Sequence, residues 1–521
     1  MNRIIISVAA LFSLCMAWAG HPTWGDQGNG TYINPILNAD YSDPDAIRVG
    51  DKYYMVASDF HFTGMQVLES SDLVNWTLVS QVYDRFDFPG WETNERYAGG
   101  SWAPSIRYHD GKFWIFFCTP HEGLFMSTAT SANGPWSPLT LVEKVARWED
   151  PCPFWDDDGQ AYLGRSKHGA GPIIIHKMSP DGTRLLDEGR TVYTGPVAEG
   201  TKIHKRDGWY YLSIPEGGVE SGWQTILRSR NIYGPYEKRV VLEQGRTPIN
   251  GPHQGAMVDT PEGEWWFLHF QHSGPLGRVV HLQPMHWKDG WPVIGVDQDM
   301  NGIGEPVPAW VKPRVHASSE PHLPAHTDEF SSSRSLGLQW QFNHNPVPGS
   351  WSLTERVGWL TLHASKASDF KQARGTLTQK SMGYRGEVTV RLDFSSLAVG
   401  DHAGLACMGK QNHLIGVQAD QKGVNLYLQH DTVTTVLHPV KGKILYLRLH
   451  LDAVSNTYSF AWSRDGRQFT SVGEPFAMRF GFWKGVRPAL FCYNPSESKG
   501  TVSFDWFRYL MLDDEELKAK N

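Results

Sequence analysis

Cysteine is scarce in this 521-residue chain: five residues, one of them, Cys15, in the apolar N-terminal stretch. The other four, Cys118, Cys152, Cys407 and Cys492, match no zinc-ligand spacing, which excludes a zinc-ribbon or finger architecture. Two sit in apolar runs, "IFFCTP" and "LFCYN", and read as buried thiols, with one or two disulfides as the alternative. Charge of one sign is also lacking. The net charge is −7, both signs are interspersed, and no basic stripe occurs, so a nucleic-acid partner is not expected. Long segments free of glycine and proline are few, because 52 glycines and 32 prolines punctuate the chain. That excludes a helical bundle and favours many short strands joined by turns. Past the N-terminus no apolar run is long enough to span a bilayer.

The N-terminus itself, "MNRIIISVAALFSLCMAWAG", places Arg3 before an apolar run that ends in Ala17-Trp18-Ala19. This is the pattern of a signal peptide over residues 1–19, and it predicts a protein that is secreted or periplasmic. Leu14 before Cys15 speaks against lipidation, since a small residue is expected there.

What the chain has in abundance is aromatic residues, 22 of them tryptophan, arranged in a repeated turn-and-strand unit. The copies are "VGDKYYMVAS", "HDGKFWIFFC", "DDGQAYLGRS", "RDGWYYLSIP" and "PEGEWWFLHF", with turn glycines at Gly50, Gly111, Gly159, Gly208 and Gly263. A glycine turn between aromatic or alternating strands is a hairpin signal. Five copies at intervals of roughly 50 residues predict five propeller blades of four strands each. The expected architecture is therefore all-β: a five-bladed β-propeller over residues 30–310, a proline-rich linker over 311–327 and a β-sandwich over 328–521. "EVTVRLDF" and "LYLRLHLD" in the last segment alternate as half-buried strands do.

In a propeller the innermost strand of each blade lines the central channel. Counting back from each turn glycine brings Asp43, Trp102, Asp150, Glu199 and His253 to one end of that channel. Taken alone, an Asp-Pro pair such as "SDPD" is most often only a turn. Three carboxyls crowded on one axis, however, shift each other's pKa values apart, leaving one a neutral acid and another an ionised base. Glycoside hydrolysis needs such a division. Trp102 and Phe60 supply faces on which sugar rings can stack. Asp45, two residues from Asp43, is assigned to structure.

These stretches resemble glycoside hydrolase family 43: "NPILNADYSDPDAIRVGDKYYMVAS", "GSWAPSIRYHDGKFWIFF", "VAEGTKIHKRDGWYYL" and "GPHQGAMVDTPEGEWWFLHF". The last segment is similar to the β-sandwich appended to β-xylosidases and α-L-arabinofuranosidases of that family. The resemblance implies inverting hydrolysis with Asp43 as general base, Asp150 as pKa modulator and Glu199 as general acid. It also implies a sugar-facing Arg278 in "LGRVV", and a pocket-closing aromatic in "FGFWKG", here Trp483. No cofactor is required for the chemistry. A structural calcium with His253 beside it is a further implication; a direct substrate contact or a structural hydrogen bond by His253 is the alternative, and Gln254 beside it leaves a one-residue shift of register open. The calcium-loop-like "DQDMNGIGE" at 297–305 lacks the twelfth-position Glu and reads as a turn. The expected substrate is a plant cell-wall polysaccharide or oligosaccharide of arabinoxylan type, cut from its end to release L-arabinofuranose, D-xylose or both. An endo-arabinanase and a non-catalytic carbohydrate-binding propeller are the competing readings. Retention of all three acids speaks against the latter.

Overall fold

The computed structural model describes residues 24–512 apart from 94, 318, 333 and 498. Residues 1–19, expected from sequence to be a signal peptide, and the C-terminal tail lie outside the described residues. Five antiparallel four-stranded sheets, at 42–81, 102–143, 148–193, 202–242 and 253–294, form the propeller blades. Each sheet is a meander in sequence order, so every blade is built from one continuous stretch of chain. Among the described residues no helix is long and apolar enough to cross a membrane.

Among the described residues the fifth blade takes all four strands from 253–294, and the N-terminal segment pairs with its strands only at the isolated Leu37–Val280 bridge, so the ring is closed by other means. Thr31–Ile33 pairs antiparallel with Ala309–Val311, tying the two ends of the propeller together. The Tyr32 hydroxyl donates to the Leu282 carbonyl, and the Arg48 guanidinium grips Asp259 from blade one to blade five at 2.7 Å. The segment after the last blade then runs along blade one. Lys312 pairs there with Asp26 and Asp72 at 2.6 and 2.8 Å.

The C-terminal domain is two packed sheets, of eight and seven strands. Arg385–Asp393 and Ile444–Asp452 pair with each other and alternate strictly between core and surface. Val388, Val390, Leu392, Leu445, Leu447 and Leu449 consequently share one buried face, as the period-two pattern requires. The apolar core runs without a break from this sandwich into blades one and five. Cys118, Cys152, Cys407 and Cys492 are free, buried thiols, which settles the earlier alternative against disulfides among them.

Candidate active site

The innermost strands share one local distortion that builds the site. In blades one, two, three and five the first strand carries a bulge near its start, at Asp43, Ala103, Asp150 and Gln254. These residues have φ of +53°, +38°, +56° and +54°, and the corresponding residue of blade four is Gly200 at +59°. Left-handed backbone at a non-glycine residue costs about 1–3 kcal/mol, and such strain gathers at functional sites. Bulges re-aim side chains; here blades two and three present two successive residues to the pocket, Trp102 with Ala103 and Glu149 with Asp150, while blades one, four and five present one each, Asp43, Glu199 and Gln254.

The aligned register corrects the counting made from the turn glycines. Asp43 and Asp150 share one step with Gln254; Trp102, Glu149, Glu199 and His253 share the step before it. The residue facing the pocket from blade five is Gln254. His253 is completely buried behind it, edge-on to Phe270 with ring centroids 5.2 Å apart. It is not among the residues lining the pocket.

The pocket encloses about 290 Å³ and is lined by Asp43, Glu149, Asp150, Glu199, Gln254 and Arg278, with Phe60, Trp102, His168 and Trp483 among its walls. All seven of the catalytic and substrate-binding residues named from sequence thus meet at one place. Phe60 and Trp102 stand edge to face at 6.0 Å, and His168 covers the Trp102 ring at 4.8 Å. The Trp102 indole donates to the Ala98 carbonyl at 2.7 Å, which fixes the ring plane. Trp483, reaching in from the sandwich, meets Trp102 at 6.2 Å and remains 43% exposed, so it forms a rim rather than a core.

Each carboxyl has a different environment. Asp43 accepts from the Ser58 hydroxyl on Oδ2 and from the Arg278 guanidinium on Oδ1, both at 2.7 Å. Asp150 accepts from the Ser166 hydroxyl, from the Gly200 backbone N–H at 2.8 Å and from the Gln254 amide at 3.1 Å. Since Gly200 follows Glu199, Asp150 also anchors the backbone that carries Glu199. Burial nevertheless raises the Asp150 carboxyl above its ordinary range. Glu199 is pushed up to about 8, first by burial and then by the negative charge of Asp150, with Arg278 opposing. Glu149 rises to about 9 for the same reasons. At neutral pH both glutamates therefore hold their protons, while Asp43 sits against a permanent cation.

Glu149 and His168 were missed from sequence, and Gln254 stood there only as the one-residue register alternative to His253. Glu149 and Gln254 had a signal, their register equivalence to Glu199 and to Asp43. His168 follows a second strand and had none. Asp45 is buried under the site and not in it. It accepts from the Ile106 N–H and from Arg107 at 2.6 Å, with Lys202 4.0 Å away. The bulge at Asp43 is what parts the two aspartates, which a regular strand would have placed on one side.

Among the described residues, the group close enough to hold a cation is Glu149, Asp150 and Glu199, whose carboxylate oxygens lie within 4.8 Å of one another. His253 does not belong to it. Hard oxygen ligands of this type suit calcium chemically, but two of these three hold protons at neutral pH, which works against a cation there. Asp297 and Asp299 cap their own exposed turn, accepting from the N–H groups of Gly302 and Asn301.

Acids divided between proton-holding and proton-accepting forms, walled by aromatic rings at one end of a propeller axis, define a glycosidase. Comparison with known proteins agrees. Residues 32–292 match Glycosyl hydrolases family 43, and residues 327–510 match the Beta xylosidase C-terminal Concanavalin A-like domain. A protein of Xylanibacter ruminicola is 57% identical over 464 residues, covering 89% of this chain and 86% of its own. A beta-xylosidase of Formosa agariphila is 39% identical, covering 94% and 91%. A non-reducing end alpha-L-arabinofuranosidase of Bacteroides ovatus is 27% identical, covering 93% and 95%. Among solved structures, a bifunctional GH43-CE chain from Bacteroides eggerthii superposes with a TM-score of 0.82 at 29% identity; the match covers 92% of this chain and 64% of that longer one. The chain belongs to glycosyl hydrolase family 43, an inverting family whose chemistry requires no cofactor.

Proposed function

We propose that this enzyme is an exo-acting hydrolase that releases D-xylose, L-arabinofuranose or both from arabinoxylan-type polysaccharides or oligosaccharides. The observation that carries this reading is the small pocket with Trp483 at its rim, which suits a chain end better than a chain passing through. Relatives named beta-xylosidase and alpha-L-arabinofuranosidase support both sugars. The two present ring hydroxyls in similar positions, so one pocket can serve both.

In this reading Asp43, held by Ser58 and Arg278, removes a proton from the attacking water. Glu199, protonated at neutral pH, gives its proton to the departing oxygen. Asp150 raises the proton affinity of Glu199 and fixes its backbone. Water attacks the face opposite the leaving group, so the anomeric configuration inverts. Side-by-side rates on an aryl β-xyloside and an aryl α-L-arabinofuranoside test the substrate reading. Turnover of either supports it; silence on both, with activity on internal linkages of arabinan, would replace it by the endo reading.

The proposal includes export, for which the N-terminal sequence is the support; cell fractionation is the test. It also includes a structural calcium near His253, supported by the buried imidazole close to the axis. Melting that is insensitive to a chelator would remove that ion from the proposal.

A further inference from the structure

The catalytic apparatus belongs to the propeller, but both hydrogen bonds that orient Asp43 lead back to a single side chain of the sandwich. Lys484 follows Trp483 and is buried, its side chain only 2% exposed. Its ammonium donates to the Ser58 backbone carbonyl at 2.8 Å. The Ser58 hydroxyl in turn donates to Asp43 Oδ2, and accepts from the Ala103 N–H at 2.7 Å. On its other side the same ammonium lies 3.4 Å from Asp40 Oδ2, which also receives the Gly485 N–H at 3.0 Å. The other oxygen of Asp40 accepts from the backbone N–H of Arg278 at 3.0 Å and from the Ser42 hydroxyl at 3.2 Å. Arg278 then donates to Asp43 Oδ1.

We propose that Lys484 is a positioning residue for the general base: it fixes Ser58 directly and Arg278 through Asp40, and so sets the direction in which the Asp43 carboxylate faces water. The inference rests on the reading of Asp43 as general base. It assigns the sandwich a part in the chemical step that is separate from the rim formed by Trp483. The physical reason is the cost of misplacement. A carboxylate held at both oxygens by donors has one orientation, and a shift of about 1 Å in a reacting group costs about a hundredfold in rate. Lys484 is suited to the task because a buried ammonium cannot drift to solvent. Its charge is matched by Asp40, and the ammonium itself lies over the Phe60 ring, 5.2 Å from the centroid.

A neighbour serves as comparator. Lys380 lies in the same buried cluster of charges, donating to Asp59 at 2.7 Å and to Gln341 at 3.3 Å, neither of which donates to Asp43. The test is steady-state kinetics on an aryl glycoside that the wild type turns over, for Lys484→Met, Lys484→Gln, Lys380→Met and Asp43→Asn. Melting curves confirm that each assayed variant is folded. Lys484→Met is expected to lose about ten- to a hundredfold in kcat while KM changes less than about threefold. Lys380→Met is expected to melt lower and keep kcat within about threefold. Lys484→Gln is read in the same way should the methionine variant not fold. A folded Lys484 variant with kcat within about threefold of wild type, beside an inactive Asp43→Asn, would overturn this inference alone. Equal loss of kcat in Lys380→Met would reduce Lys484 to a structural contact. Substantial activity in Asp43→Asn would overturn the base assignment, and this inference with it.

Discussion

Asp43 and Asp150 occupy the same step of the innermost strand in blades one and three, each in left-handed backbone, with φ of +53° and +56°. Identical local geometry nevertheless gives them different tasks, because their partners differ. Asp43 meets the guanidinium of Arg278, whereas Asp150 meets neutral donors and two neighbouring glutamates. The fold supplies one device five times, and side chains specialise each copy.

Replacing Asp43 or Glu199 by the amide is expected to lower kcat by about 10²–10⁴-fold. The Glu199→Gln loss should shrink on aryl glycosides whose leaving group needs no proton, and the Asp43→Asn loss should not. Comparing a nitrophenyl substrate with an unactivated disaccharide reads this directly. Wild-type rates in either variant would refute the assignment.

The pH profile follows from Glu199, whose proton is held up to about 8. A general acid must be protonated, so kcat/KM should fall as pH rises through that value. Burial is the larger cause and the charge of Asp150 the next, so Asp150→Asn should move the alkaline limb toward lower pH. An unmoved limb, measured over pH 5–10, would count against the assigned role of Asp150.

Stability should fall over the same pH range, for the same physical reason. The folded-state pKa values of Glu199 and Glu149 lie above their ordinary carboxyl values, at about 8 and about 9. Their contribution is therefore fully present below the unfolded pKa and is lost as pH rises through the folded one. Between pH 5 and pH 9 the wild type should lose melting temperature. Glu149→Gln and Glu199→Gln should lose less, with Tm above that of the wild type at pH 9.

Asp45 makes a contrasting prediction. Asp45→Asn leaves Arg107 and Lys202 buried without their carboxylate, a change that costs about 3–5 kcal/mol. Denaturant melts should show that loss, while the folded variant retains kcat far above that of Asp43→Asn.

Trp483→Ala opens the rim. KM for a short aryl glycoside should rise about three- to tenfold, in line with the loss of one aromatic contact. The change in kcat should be smaller, because Trp483 lies 6.2 Å from Trp102 and hydrogen-bonds none of the carboxyls.

The sequence by itself determined the elements and their number. Glycine turns ahead of aromatic strands specified the five blades locally, since a turn and a period-two pattern need no distant partner. The same periodicity marked the sandwich strands 385–393 and 444–452. Counting from the turns was enough to bring Asp43, Trp102, Asp150 and Glu199 together, and the likeness to family 43 added Arg278 and Trp483. Tertiary structure decided the rest. The bulges set which of two adjacent residues faces the pocket, so Gln254 replaced His253 there and Glu149 joined the acids. A bulge depends on pairing with the next strand, and a one-residue shift leaves hydrophobic spacing nearly unchanged. Protonation likewise depended on burial and on carboxyls brought together from separate blades. The link from Lys484 to Asp43 spans more than four hundred residues of chain, and only the packing of the sandwich against the propeller creates it.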